Sequence, residues 1–211
     1  MIPAQYDHVY VPVKHFLMSF RALLDGKGAV TKLSDLATRD EIVLADWRIL
    51  WIGTCTLLRT SIDLFQVDAR SCINIAIRDE LKNEFASIKE NAPNHKIYWD
   101  FIKKERDNIV HEYKWSVYEK WLTKDGEIPS TGLTLLTMNP DEIRSVLEMR
   151  DGPYAGRDSL ELLHEGAVWV ESRIFSAIER AGFSPDEERN LVNFGRRPRP
   201  TGIGSTILAN G

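Results

Sequence analysis

Apolar residues recur at three- and four-residue intervals through most of this chain, and no proline interrupts them between Pro12 and Pro93. That spacing predicts helices with one buried face. Val13, Phe16, Leu17, Phe20, Leu23 and Leu24 trace a first helix, which the Asp25-Gly26-Lys27-Gly28 run is expected to end. A second is expected from near Asp40, carrying Ile42 through Phe65, with Trp47, Trp51 and Leu58 giving it apolar surface on more than one side. The stripe Ile73, Ile77, Leu81, Phe85 and Ile88 predicts a third over 69–90, closed by Asn91-Ala92-Pro93-Asn94. A fourth is expected over 97–117 on Tyr98, Phe101, Ile102, Ile109 and Tyr113.

Between 119 and 157 the pattern breaks at Gly126, Pro129, Gly132, Pro140, Gly152, Pro153 and Gly156, which predicts an irregular insertion. One short helix is expected within it, capped by Asn139, with Pro140 in its first turn and Asp141 and Glu142 at its positive end. A last long helix is predicted from Asp158 or Ser159 to about Ala181, with Leu160, Leu163, Ala167, Val170, Ile174 and Ile178 inward. Asp158 and Glu161 are placed like a capping box, and Gly182 stops it. Past Pro185 the stripe is lost, and Arg196-Arg197-Pro198-Arg199-Pro200 reads as a flexible basic tail. The expectation is an all-α, up-and-down bundle of four to five long helices with an irregular insertion before the last, one domain over 1–185 and a tail over 186–211.

A chain of 211 residues that is 43% hydrophobic suffices for one core. Its longest apolar run, Ile49 to Leu58, falls short of a membrane span, and the N-terminus reads as neither signal nor anchor, so a cytoplasmic protein is expected. Cys55 and Cys72 sit in apolar helical patterns and read as buried, inert thiols. Two cysteines and five scattered histidines give no zinc spacing, so neither metal nor other cofactor is expected. A net charge of −4 argues against coating nucleic acid non-specifically. Lys103, Lys104, Arg106 and Lys114 nevertheless form a local basic cluster, a candidate substrate-binding set.

On the fourth helix, Arg106 falls within the apolar stripe, seven residues and about 20° from Tyr113. A cation there needs a partner or a lined groove. His111 carries an imidazole, a group suited to proton transfer. Five residues of helix, however, leave it about 140° around from Arg106. The helix is locally distorted, or Arg106 reaches around the groove, or two copies meet so that both motifs line one cleft. Arg59 and Asp63 are spaced for an intrahelical ion pair, and Asp63 is also a candidate to pair with Arg106.

The run Arg106-Asp107-Asn108-Ile109-Val110-His111-Glu112-Tyr113, late in a helical array, resembles the signature of the HEPN superfamily, whose active members are metal-independent ribonucleases of prokaryotic defence and toxin–antitoxin systems. Asp107 suits the second position, and Tyr113 matches the His-x-Tyr extension of toxins paired with a nucleotidyltransferase-type antitoxin. The resemblance covers architecture over about 10–182 and identity only over this run. It implies RNA as substrate, His111 as general base or acid, Arg106 on the scissile phosphate, a 2′,3′-cyclic phosphate product, a homodimer with both motifs at the interface, and Asp63 as a group orienting Arg106 or His111. The alternative is a catalytically silent HEPN-like module that binds nucleotide, RNA or a protein partner.

Overall fold

The computed structural model describes residues 10–38, 44–123, 125–127 and 143–194 and is mostly helical. Helices α1 (Met18–Ala37), α2 (Leu44–Asp63), α3 (Phe65–Ser71) and α4 (Ile75–Glu90) fill the first half. A π-helical stretch, Ile97–Lys103, runs directly into α5 (Lys104–Glu112), and α6 (Ser159–Arg180) and the short α7 (Leu191–Phe194) follow. Strands β1 (Val11–Pro12), β2 (Val117–Thr123), β3 (Ile143–Met149) and β4 (Glu188–Arg189) form two small antiparallel pairs among the described residues, β1 with β4 and β2 with β3. The core lies where α1, α2, α4 and α6 meet, around Phe20, Trp51, Leu58, Leu81 and Ile174. No helix among the described residues is long and apolar enough to cross a membrane.

Helix α1 does not end at the glycine pair. It runs through Gly26 and Gly28 to Ala37, burying Leu23, Val30 and Leu33. Gly26 lies against α2, where a Cβ would come within 3.4 Å of Leu58 Cδ2, so its small size serves a close helix contact rather than a turn. The start of α1 has no capping side chain of its own. Asp68 of α3 supplies one, its buried carboxylate accepting from the Met18 and Ser19 amides at 2.9 Å each.

The expected third helix is broken. Cys72 leaves the helix, Ile73 is exposed, and Asn74 restarts it by accepting from the Ile77 amide at 3.2 Å. Both thiols are buried, and burial pushes Cys55 and Cys72 up, away from the reactive thiolate. The fourth helix ends at Glu112 instead of continuing to 117, because Tyr113 turns left-handed (φ 51°) and its amide reaches back to the Ile109 carbonyl.

The insertion is partly regular, which makes the fold mainly α rather than all-α. Strand β2 pairs with β3 from Val117 opposite Met149 to Thr123 opposite Ile143. Val117, Leu122 and Met149 are buried, and Glu148 accepts from Lys120 at 3.1 Å across the pair. Asn139, Pro140, Asp141 and Glu142, the expected helix start, lie outside the described residues; from Ile143 onward the chain is strand.

Asp158 caps helix α6, accepting from Leu160 and Glu161 at 2.8 and 2.9 Å, without the return bond from the Glu161 side chain that a full capping box has among the described residues, and Gly182 takes the left-handed conformation after it. Past Pro185 the chain stays folded to 194, where a tail was expected from 186. β4 pairs with β1, and Phe194 is buried, stacked on Phe16 at 4.6 Å. The basic run from Arg196 lies outside the described residues.

Candidate functional site

Arg106 and His111 share a regular α-helix, since the π stretch ends at Lys103 and precedes both. A π turn rotates whatever lies on either side of it. Here it leaves the two motif residues in their ideal relation, about 140° apart. Local helix distortion therefore does not converge them.

The buried face of this segment is Tyr98, Phe101, Ile102, Glu105 and Ile109. Glu105, not Arg106, is the charge within the apolar stripe. It is 2% exposed because two donors satisfy it: the Trp51 indole N–H at 3.0 Å and the Ser116 amide at 2.9 Å, both on Oε1. Arg106 lies at the stripe's edge, its side chain 32% exposed. Tyr113 does not extend the stripe; its left-handed backbone leaves it 66% exposed.

At that edge α2 and α5 build an ionic cluster. Arg106 Nη1 donates to Asp107 Oδ1 at 3.0 Å, and Lys103 Nζ to Asp107 Oδ2 at 2.8 Å. Arg59 pairs with Asp63 along α2 at 3.1 Å. Asp63 also faces the motif. Burial pushes its carboxyl up against the pull of Arg59 and then Arg106, Asp107 adds to the rise, and Lys89 of α4 opposes it. Burial resists ionisation of Asp107 as well, but the hydrogen bonds from Lys103 and Arg106 outweigh it and hold that carboxyl below the usual range.

Four cations, Arg59, Lys89, Lys103 and Arg106, act on the two carboxylates Asp63 and Asp107, two more positive than negative charges within this set. Arg59 Nη1 is buried and has no hydrogen-bond partner among the described residues. Its guanidinium lies 5.1 Å over the Tyr98 ring, and Lys103 lies 5.7 Å over Trp99. Aromatic faces hold both cations in place.

His111 stands apart, exposed in the last turn of α5 and without a hydrogen bond or ion pair among the described residues. Along the chain it is flanked by exposed residues: Val110 is 52% and Tyr113 66% accessible, and Glu112 and Lys114 are exposed as well; Tyr113 meets Trp115 edge to face, and Arg48 lies over the Trp115 ring. Lys104 projects elsewhere, with its Nζ 3.5 Å from where a Cβ on Gly152 would be, and Lys114 lies exposed past the helix end. The structure therefore gathers Arg106, Asp107, Asp63 and Lys103 and leaves His111, Tyr113, Lys104 and Lys114 outside that cluster. Sequence reasoning missed Lys89 and Glu105. Lys89 carried no signal, being an ordinary solvent-side lysine in the α4 pattern, whereas Glu105 sits at positions i+3 from Ile102 and i−4 from Ile109 and so was a candidate for burial.

No group of three or more His, Cys, Asp or Glu among the described residues is arranged to hold a metal ion. Comparison with protein-family models, with characterised proteins and with solved structures finds nothing that matches this chain.

Proposed function

We propose that this chain is a metal-independent endoribonuclease of the HEPN type, an up-and-down bundle of four to five long helices that acts as a homodimer. The observation that carries this reading is the surplus cationic cluster around Arg106, on the same short helix as an exposed, unpartnered histidine. An RNA phosphate supplies the negative charge the cluster lacks, and the partly exposed Arg106 and Lys103 offer it donors. His111 takes the proton from a ribose 2′-OH, the 2′ oxygen bonds to phosphorus, and the bond to the 5′ oxygen breaks as that oxygen receives a proton from a second imidazolium. Arg106 stabilises the charge on the phosphoryl oxygens as it builds up. The product ends are a 2′,3′-cyclic phosphate and a 5′-hydroxyl.

One protomer holds its own Arg106 and His111 on different sides of α5, so the second copy completes the site. The exposed Val110 and Tyr113, the latter against Trp115, offer apolar surface on which a twofold contact would close. In a cytoplasmic toxin or antiphage effector the same surface would be open to an inhibitory partner such as a nucleotidyltransferase-type antitoxin. One observation favours a second reading: His111 is clear of the cluster, as in a catalytically silent module that only binds RNA.

Purified protein incubated with total RNA in excess chelator separates the two. The ribonuclease reading expects cleavage with cyclic phosphate ends, its loss in Arg106→Ala and His111→Ala, and a light-scattering mass about twice 24.2 kDa. Cleavage that needs added magnesium, or that survives both substitutions, overturns it.

A further inference from the structure

We infer that the groove between α3 and α4 is a base-binding subsite for single-stranded RNA whose backbone is held at Arg106, an assignment that rests on the ribonuclease reading above. The groove encloses about 300 Å³, at the lower end of ligand-sized pockets. Its floor is Phe65 and Ala69 of α3, and its walls are Phe85 and Ala86 of α4. Phe85 is half-buried, so part of its ring is open to the groove. Lys82 and Lys89 stand at the rim.

Continuity with the cationic cluster identifies the occupant. Lys89 lines this groove and also acts on the Asp63 carboxylate, and Asp63 lies two residues before Phe65 at the end of α2. Asp63 pairs with Arg59 at 3.1 Å, so the chain that floors the groove leads straight into the cationic cluster. The Lys89 Nζ lies over the Phe85 ring, 4.3 Å from the centre, so a base takes that face as the flexible lysine stem swings aside to follow the phosphate. An apolar groove lined by an aromatic ring and two lysines fits a nucleotide, whose base stacks on the ring while its phosphate meets Lys89. The Gln66 amide at the mouth supplies both a donor and an acceptor to a base edge. The rim carries one acid, Glu90, against its two lysines.

The test uses a fluorescent 2′-O-methyl octaadenylate, which has no 2′-OH to attack, and the same backbone made abasic. The full-length protein is expected to prefer the octaadenylate about tenfold, the worth of stacking one base on an aromatic ring. Ala86 is exposed on α4, so Ala86→Trp fills the groove without touching the core. It should erase that preference and leave the abasic affinity, the melting temperature and the light-scattering mass unchanged. Lys89→Ala should weaken both ligands and lower the salt slope of binding by about one. A wild type indifferent to bases, or an Ala86→Trp variant that keeps the preference, overturns the subsite. If Arg106→Ala still weakens both ligands in that case, phosphate binding at Arg106 stands. Conversely, an Arg106→Ala variant with unchanged affinity for both overturns the Arg106 reading and with it the shared site. An Ala86→Trp protein of half the wild-type mass assigns the groove to a second copy of the chain and overturns the RNA assignment, and failure of the wild type to bind either ligand overturns both.

Discussion

The seam between α4 and α6 and the face shared by α2 and α5 each gather carboxylates and cations, yet they are built on opposite plans. In the seam Glu84 is 3% exposed and receives Arg173 at 3.3 Å and a second bond from Arg180, which also reaches Glu80 at 2.8 Å. Two acids there meet two bases, and every charge is answered within the protein. On the α2–α5 face two acids meet four bases, and one buried guanidinium nitrogen goes unanswered among the described residues. Buried charge that is fully paired fixes how helices pack, while a surplus on an accessible face is attraction held in reserve for something else.

The sharpest way to break this contrast is to remove a charge from each cluster and read both activity and stability. Arg106→Ala and His111→Ala should each lower RNA cleavage by at least about a hundredfold, the usual cost of losing a charge-stabilising donor or a proton-transfer group. Chemical denaturation should show neither variant losing more than about 0.5 kcal/mol, as expected for partly exposed side chains. Glu84→Ala should do the reverse. It strands two arginines in the seam and should cost about 2 kcal/mol in urea unfolding, below the full penalty of a buried pair because both arginines keep some access to water. Its RNA affinity should be that of the wild type; a loss there would mean that the two clusters are coupled.

Smaller effects sharpen the comparison within the α2–α5 face. Lys103→Gln should weaken RNA binding a few-fold, lower the salt slope by about one, and leave cleavage at saturating RNA nearly intact, which fluorescence titration at several salt concentrations measures. The two carboxylates should respond to pH with opposite signs. Asp107 has a depressed folded pKa, so its contribution is present at neutral pH and is lost as pH falls through that value. Asp107→Asn should therefore be less stable than the wild type near neutrality and approach it in acid. Asp63 has a raised folded pKa, so its ionisation costs stability as pH rises through that value. The advantage of Asp63→Asn should be largest near neutrality and vanish in acid. Each difference should stay below about 1 kcal/mol, the scale of half-exposed ion pairs, and denaturation at a series of pH values reads both.

How much of this was legible beforehand follows from the reach of each interaction. Helix α6 could be read because its stripe, its Asp158 cap and its Gly182 stop are all local. The Arg59–Asp63 pair obeys helix arithmetic and could be read for the same reason. Gly26 could not, since its role is set by Leu58 on another helix and only its turn-forming chemistry shows in sequence. The β2–β3 pair was hidden by the glycines and prolines around it, although Val117-Tyr118 and Trp121-Leu122-Thr123 carry β-branched and aromatic residues suited to strands. The place of Glu105 in the stripe could be read, but its indole donor could not, lying 54 residues away. In the candidate site, the residue types and their spacing along α5 could be read, whereas the surplus of charge could not, because Lys89 comes from a different helix.

The hydrogen bonds from the Met18 and Ser19 amides to Asp68 bear on the order in which this molecule is assembled. A helix whose first amides are satisfied by a side chain fifty residues onward cannot complete its opening turn by local propensity alone. The start of α1 thus becomes a late, non-local event, contingent on α3 having docked. Those two amides should exchange with deuterated solvent only when the whole domain opens, while the solvent-side amides of the same helix fray at lower free energy.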